Sequence, residues 1–371
     1  MLYNHAMLNL KDLYEEKIEK IDYIERKKRI VSPKTILFGS INSGKSYLLL
    51  DYLSKFQKES VLYVDWSDLR VKKDGLFAKL DEILLKNKEI KAIGIDNFND
   101  SNLEELGKFV EKKNSYSIII STRQKELVID DFERLAIYPL DFEEFMLFDK
   151  KRSDTQAILA AFLRHGNGAK NPFIQVAKIA EFEQLLLRAN LTYNELLVLR
   201  NSLQYVDEIF SVNRVYLELK ENNKISKDSV YGAIAKFENE LLLNLIPNYE
   251  DKRAMKKLYF SHFGLRDSFD FKKDFHKKFA NALFCELLNL DEAIYYTKEL
   301  DFYLPKRGLA ILLAPFSANE FVFLKFKKLT PKLKELKISK LNVISMANSD
   351  ILDYEGLRCT IVPFYQFVLG L

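Results

Sequence analysis

The stretch FGSINSGKSYLLL, from Phe38 to Leu50, decides how the amino-terminal part of the chain must fold. Within it, Gly39-Ser40-Ile41-Asn42-Ser43-Gly44-Lys45-Ser46 matches G-x-x-x-x-G-K-[ST] at every fixed position. The spacing has a chemical reason. Such a loop must wrap so that successive backbone N–H groups converge on an anion, and glycines permit that path. Lys45 is expected to reach the β- and γ-phosphates of a nucleoside triphosphate, and the Ser46 hydroxyl to ligate Mg²⁺. A helix starting near Gly44 puts its positive dipole end under the same phosphates. Gly39 to Ser46, with Tyr47 in the first turn of that helix, form the expected ATP-binding set.

The flanking sequence provides the context this motif needs. KTILF ahead of the loop is short, β-branched and apolar, as a buried parallel strand should be. KSYLLLDYLSKF after it carries apolar residues at helical spacing. SVLYVDW (Ser60 to Trp66) reads as a second strand, and IKAIGID as a third that ends on Asp96. An acidic residue at the carboxyl end of a buried strand is the expected second Mg²⁺ holder, acting through water. The intervening strand makes the Asp96 strand third in sequence, the pattern of the additional-strand ATPases. ATPases of that class follow the aspartate with a glutamate that polarises the attacking water. Here Asn97 follows, and an amide orients water without accepting its proton.

YSIIISTRQ reads as a fourth strand with a polar tip. Ser121 or Thr122 stands where a γ-phosphate sensor is expected, at the carboxyl edge where ligands bind. Arg123 either neutralises charge in the transition state, in cis or across an oligomer, or is a surface arginine. LAIYPLD (Leu135 to Asp141) reads as a fifth strand. Five strands alternating with helices imply a parallel sheet covered on both faces, an α/β fold.

Beyond the sheet, DFEEF opens a helix with Asp141 as N-cap and Glu144 three residues on. From Ser153 to Asn223 the pattern is helical, apart from a loop at GNGAKNPF (Gly166 to Phe173). The segment from Ile225 to Leu265 then reads as a winged helix-turn-helix. Ser226 caps a helix running to about Asn239, and LLLNLIPNY and KKLYFSHF form a hairpin around the turn EDKRAM. Lys227 and Lys236 are the basic residues of that helix, so DNA contacts through it are sparse and a packing or dimerisation role competes.

Composition narrows the classes. A chain of 371 residues, 48% hydrophobic and 30% charged, suits a folded protein of two or three domains. No apolar run approaches the roughly 20 residues of a membrane helix, and the first 20 residues lack the apolar block of a signal peptide. Cys285 and Cys359 are the two cysteines, which excludes a disulfide framework and any cysteine metal motif. The expectation is a cytoplasmic protein. Net charge is +4, yet Lys252 to Lys340 holds 19 Lys or Arg against 10 Asp or Glu. That basic third suits either an acidic partner, DNA or protein, or a solvated lysine surface.

The loop motif, the IDN strand end, YPLDFEEF, KLYFSHFGL and the terminal IVPFYQFVL together resemble a family. It is that of the bacterial and archaeal AAA-type P-loop ATPases with a C-terminal restriction-endonuclease-like domain of unknown function. The resemblance spans nearly the whole chain, and PLDFEEF and KLYFSHFGL carry it most specifically. It implies an N-terminal helix over 1–29, the ATPase domain over 30–148 and a helical segment over 149–205. A winged-helix-like domain over 206–265 and a nuclease-like α/β domain over 266–371 would follow. Members with an intact nuclease pattern look like FEN, then EVDF, then IEVK, which would hold a metal for phosphodiester cleavage. Here Phe279-Ala280-Asn281 lacks the glutamate, Glu299-Leu300-Asp301-Phe302 is kept, and Ile311-Leu312-Leu313-Ala314 lacks glutamate and lysine. One acid and no lysine build no metal site, so the expected module is degenerate, with Asp301 a structural strand residue. The expectation is an ATP- and Mg²⁺-dependent ATPase that couples nucleotide state to an interaction module. Lys45, Asp96, Asn97, Thr122 and Arg123 would serve catalysis, and Ser46 and Asp96 the metal. An ATP-sensing DNA- or protein-binding switch with negligible turnover is the alternative, and an ATP-dependent nuclease a distant third; a homo-oligomer fits either of the first two.

Overall fold

The structure, a computed structural model, describes residues 10, 13–18, 25–99, 103–149, 153–269 and 273–371. Of the helix expected over 1–29, residues 10 and 13–18 are helical, 25–29 are not and run as irregular chain into β1, and 1–9, 11–12 and 19–24 lie outside the described residues. The chain divides into two compact units, Met1–Tyr138 with Asn239–Leu241, and Pro139–Glu238 with Leu242–Leu371.

In the first unit, β1 (Lys34–Phe38), β2 (Val61–Asp65), β3 (Ala92–Phe98), β4 (Ser117–Thr122) and β5 (Glu133–Ala136) form one sheet in the order β2-β3-β4-β1-β5. Every pairing is parallel. Helices α1 (Lys45–Leu53), α2 (Leu76–Lys86) and α3 (Leu103–Glu111) alternate with the strands. Because successive strand residues point to opposite faces, the continuous apolar runs split into two cores. Ile36, Leu62, Val64, Ile93, Ile95, Ile118 and Ile120 pack with α2 and α3. Leu37, Tyr63, Ala92 and Ile119 pack with Leu48, Leu49, Leu50 and Leu53 of α1 and with Leu13 and Tyr14. Gly94 lies beneath α1. A Cβ there would meet Leu53 Cδ1 at 2.5 Å and Leu49 Cδ2 at 3.1 Å.

The fifth strand departs from expectation. It occupies Glu133–Ala136, not Leu135 to Asp141, and ends where Ile137 N–H donates to the Phe38 carbonyl at 2.7 Å. Glu133 and Arg134 are exposed on this edge strand. Edge strands need no apolar signature, so the LAIYPL run puts the start two residues and the end five residues too far along, with only Leu135 and Ala136 in common.

All three segments expected after residue 148 lie in the second unit, apart from 239–241. The capping box forms as expected at α4 (Phe142–Met146): Asp141 Oδ1 accepts from Glu144 N–H at 2.7 Å, and Glu144 Oε2 from Asp141 N–H at 3.3 Å. Helices α5 (Thr155–His165), α6 (Val176–Asn190), α7 (Tyr193–Ser202), α8 (Val212–Asn222) and α9 (Lys227–Asn239) follow. Ser226 Oγ accepts from Ser229 N–H at the start of α9. The hairpin is present as β6 (Leu243–Ile246) antiparallel to β7 (Lys257–Phe260). The loop at Gly166 and the SHFGL stretch form a clasp. Asn167 Nδ2 donates to the Ser261 carbonyl at 3.0 Å while its Oδ1 accepts from Phe263 N–H at 3.1 Å. A Cβ on Gly166 would stand 2.9 Å from the Gly264 Cα, which explains both glycines.

After α10 (Phe275–Leu288) comes a mixed sheet of β8 (Phe302–Leu304), β9 (Leu309–Leu313), β10 (Lys340–Ser345), β11 (Asp350–Tyr354) and β12 (Leu357–Pro363), ordered β11-β12-β10-β9-β8. Helix α11 (Asn319–Glu335) crosses between β9 and β10, and α12 (Phe364–Val368) ends the chain. Phe142, Phe162, Tyr259, Phe279, Phe302 and Phe364 share one core, which ties α4 and α5 to the sheet. Among the described residues no helix is long and apolar enough to cross a membrane.

Replacing Gly94 by Val should force α1 off β3. Overpacking of this kind costs about 1–3 kcal/mol, read as a lower urea midpoint at unchanged slope. An unaltered midpoint would mean that α1 is not seated on Gly94.

Candidate nucleotide-binding site

The loop between β1 and α1 has the backbone its sequence demands. Gly44 caps α1 at φ 94°, and Asn42 sits at φ 59°. At Gly39 the constraint is contact: a Cβ would stand 2.0 Å from the Ile137 carbonyl oxygen. Arg26, which the motif does not predict, braces the loop by donating to the Ser43 and Tyr138 carbonyls, each at 2.9 Å.

Lys45 is 7% exposed and lies back along the loop, its Nζ donating to the Gly39 and Ser40 carbonyls at 2.9 and 2.8 Å and to Ser43 Oγ at 3.3 Å. Burial, and then the nearby Arg123 guanidinium, push its ammonium down to about 7. Ser40 Oγ is buried with no hydrogen-bond partner among the described residues. Ile41, Asn42 and Tyr47 are partly exposed at the rim.

Ser46 and Asp96 come together as the sequence requires, with Ser46 Oγ donating to Asp96 Oδ1 at 3.0 Å. Asp96 is 1% exposed. It also accepts from Tyr63 at 3.0 Å, from Asn97 N–H at 3.0 Å and from the Ser121 hydroxyl. Burial, and then the neighbouring Asp65 carboxylate, raise its proton affinity above the usual carboxylate range, against the pull of these donors. A hydroxyl beside a carboxylate is the all-oxygen donor set a hard cation such as Mg²⁺ takes, with water and phosphate completing it.

Of the polar residues at the tip of β4, Ser121 reaches Asp96, whereas the Thr122 hydroxyl accepts from Gln124 N–H at 3.2 Å. Arg123 Nη1 lies 3.6 Å from Glu240 Oε2. Asn97 is exposed, stands at φ 55° and interrupts the register of β3 against β4 between Ile95 and Phe98.

One buried acid was not anticipated. Asp65 closes β2 opposite Asp96 in the parallel register and is 2% exposed. It accepts from Lys17 Nζ at 2.7 Å, Ser67 Oγ at 2.6 Å, Ser67 N–H at 3.0 Å and Asn97 Nδ2 at 3.0 Å. Burial alone would raise its pKa, but the bonds from Lys17, Ser67 and Asn97 bring it below the usual range. A signal existed: VLYVD and AIGID both run apolar to a terminal aspartate.

No protein-family model matches the chain. An uncharacterized protein of Methanocaldococcus jannaschii is 24% identical to it, over 98% of this chain and 97% of that one. Among solved structures, the Walker-type ATPase of Pyrococcus abyssi aligns with 70% of this chain and 94% of its own at 14% identity and a TM-score of 0.42. The ORC1 protein of Aeropyrum pernix, solved in complex with DNA, aligns with 71% and 92% at 12% identity and a TM-score of 0.36. A signal-transduction ATPase with a tetratricopeptide-repeat sensor from Pyrococcus horikoshii gives 73% and 47%, 12% identity and 0.30.

An acid whose folded pKa is raised weakens the fold as pH climbs past its unfolded value, because the unfolded chain ionises more readily. Asp96 is such a group at neutral pH. Asp96→Asn removes that cost and should melt higher than wild type, by about 2–4 °C for each kcal/mol relieved. A lower melting temperature would show that the carboxylate's four donors outweigh its desolvation.

Proposed function

We propose that the first unit binds Mg·ATP and hydrolyses it as an AAA-type ATPase, and that its nucleotide state governs the second unit as an interaction module. The observation that carries this reading is the Ser46–Asp96 hydrogen bond beneath a glycine-framed loop with a buried lysine. In it, Gly39 to Ser46 cradle the phosphates through backbone N–H groups, and Lys45 exchanges its loop carbonyls for phosphate oxygens. Ser46 and Asp96 would hold Mg²⁺, which when bound neutralises phosphate charge. Ser121, bonded to Asp96, is the better-supported sensor, and Arg123 the candidate for transition-state charge, in cis or between subunits of an oligomer. A cytoplasmic setting accords with two buried free thiols, Cys285 and Cys359.

A second reading, an ATP-sensing switch with negligible turnover, is favoured by Asn97 standing where a glutamate is expected. Phosphate release separates the two.

For the second unit we read α9 with the β6–β7 hairpin as a winged helix and the sheet of β8–β12 as a degenerate nuclease-like fold. Asp301 supports the loss of cleavage chemistry: its Oδ2 accepts from Leu313 N–H at 2.7 Å, bracing the strands. The partner of this unit is DNA or a protein, and part of its positive charge is already paired within the unit. Lys236 of α9 is paired with Glu195 at 2.8 Å. Lys257, Lys277, Lys278, Arg307, Lys332 and Lys334 of the basic third each have a carboxylate partner.

Titration calorimetry with ATP tests the site. Wild type should bind in Mg²⁺, Lys45→Ala should lose at least about tenfold in affinity, equivalent to about 1.4 kcal/mol, and Ser46→Ala should lose the dependence on Mg²⁺. Equal binding by Lys45→Ala would refute the assignment. DNA incubated with Mg²⁺ or Mn²⁺ should remain intact, and nicking abolished by Asp301→Ala would reinstate the nuclease.

A further inference from the structure

The residue after Asp96 is an amide whose orientation is fixed by its surroundings. Asn97 Nδ2 donates to Asp65 Oδ1 at 3.0 Å and to Ser67 Oγ at 3.3 Å. Ser67 Oγ in turn donates to the same Asp65 oxygen at 2.6 Å. An asparagine amide has two N–H donors and one carbonyl acceptor. With both donors directed at Asp65 and Ser67, the carbonyl Oδ1 is the group left to face outward, and Asn97 is exposed. The far side of Asp65 is held by Lys17 Nζ at 2.7 Å, so the carboxylate cannot swing away while that pair is intact.

The backbone also selects an amide here. Asn97 stands at φ 55°, a conformation asparagine adopts several-fold more readily than most residues. A glutamate at this position would bear that strain and bring a third carboxylate up to Asp65 and Asp96. The carboxylate that this class keeps beside the metal-holding aspartate is instead present one strand over, at the end of β2.

Resting on the ATPase reading above, we propose that Asp65 is the positioning residue for Asn97. Its carboxylate, anchored by Lys17, locks the amide so that Asn97 Oδ1 accepts a hydrogen bond from the attacking water. In the reaction the water oxygen bonds to the γ-phosphorus as the bond to the β–γ bridging oxygen breaks and ADP leaves. The water's proton goes to the inorganic phosphate being formed, since the amide cannot take it. Phosphoryl transfer through a loose transition state needs the water aligned more than deprotonated, so an oriented amide suffices. Asp65 touches neither water nor phosphate and acts through Asn97.

The test measures phosphate release and ATP affinity in full-length protein for Asp65→Asn, Asp65→Ala, Asn97→Ala, the double Asp65→Ala/Asn97→Ala and the exchange Asp65→Asn/Asn97→Asp. Asp65→Ala and Asn97→Ala should each lower kcat about tenfold or more with ATP Kd within about twofold. The double should be no worse than either single, because both remove one device. Asp65→Asn keeps the shape of the site should Asp65→Ala fail to fold, and the exchange variant should recover kcat by restoring one donor facing one acceptor. In ligand-free protein, Asp65→Asn should shift the Asn97 side-chain NH₂ resonances and speed their hydrogen exchange, a readout independent of turnover. Unchanged kcat in both Asp65 variants, additive losses in the double, or an exchange variant no better than Asp65→Asn would overturn the proposal. Wild type that binds ATP but releases no more phosphate than Lys45→Ala would also overturn it, leaving nucleotide binding intact. Failure of wild type to bind ATP would instead bring down the ATPase reading itself.

Discussion

A carboxylate buried to 1% exposure persists only if donors replace the water it has lost, and for Asp96 those donors come from four parts of the first unit. Ser46 belongs to the helix that follows the glycine loop, Tyr63 to β2, Ser121 to β4, and the Asn97 N–H to β3 itself. This one group therefore ties the loop, through its helix, to three adjacent strands. The parallel register makes the convergence possible, because it brings the carboxyl ends of β2, β3 and β4 level. Ser46 is then next to Asp96 through the fold, not through any local contact in the sequence.

That dependence explains what could be read in advance. The glycine loop, the apolar strands and the helix after the loop are local patterns, and each is where its residues imply. The capping box at Asp141 and the helix and hairpin between Ser226 and Phe260 are local too, and the structure contains them. The fifth strand is displaced, two residues at its start and five at its end, because an edge strand with Glu133 and Arg134 exposed carries no apolar alternation. Arg26 and Lys17 were invisible for a different reason. Their partners, the Ser43 carbonyl and Asp65, lie 17 and 48 residues away, and no spacing rule links an arginine or lysine in a charged segment to such partners. Asp65 lies between these cases. Its strand ends as the Asp96 strand does, but only the pairing of β2 with β3 gives the likeness a consequence.

In the second unit the segments that look most distinctive are architectural. SHFGL and GNGAKNPF meet in a clasp built on Asn167 and two close glycines, and the aromatic residues of FEEF and FYQF share the core under the mixed sheet. His262 belongs to the same region, buried with its Nε2 2.9 Å from Glu183 Oε1. Segments of this kind answer to exacting packing, and they carry little information about chemistry. Asp301 fits that pattern, since a carboxylate bonded to the Leu313 N–H supports strands whether or not a metal was ever near.

The anchorage of Asp65 on Lys17 bears on how the protein should be handled. A fragment trimmed back to the first strand, the usual choice for isolating a nucleotide-binding core, would omit the ammonium that compensates a carboxylate only 2% exposed. Such a fragment would keep its glycine loop and sheet yet leave that charge uncompensated within the shell around Asp96. Weak behaviour of the trimmed protein would then report the missing lysine, not the capacity of the intact chain.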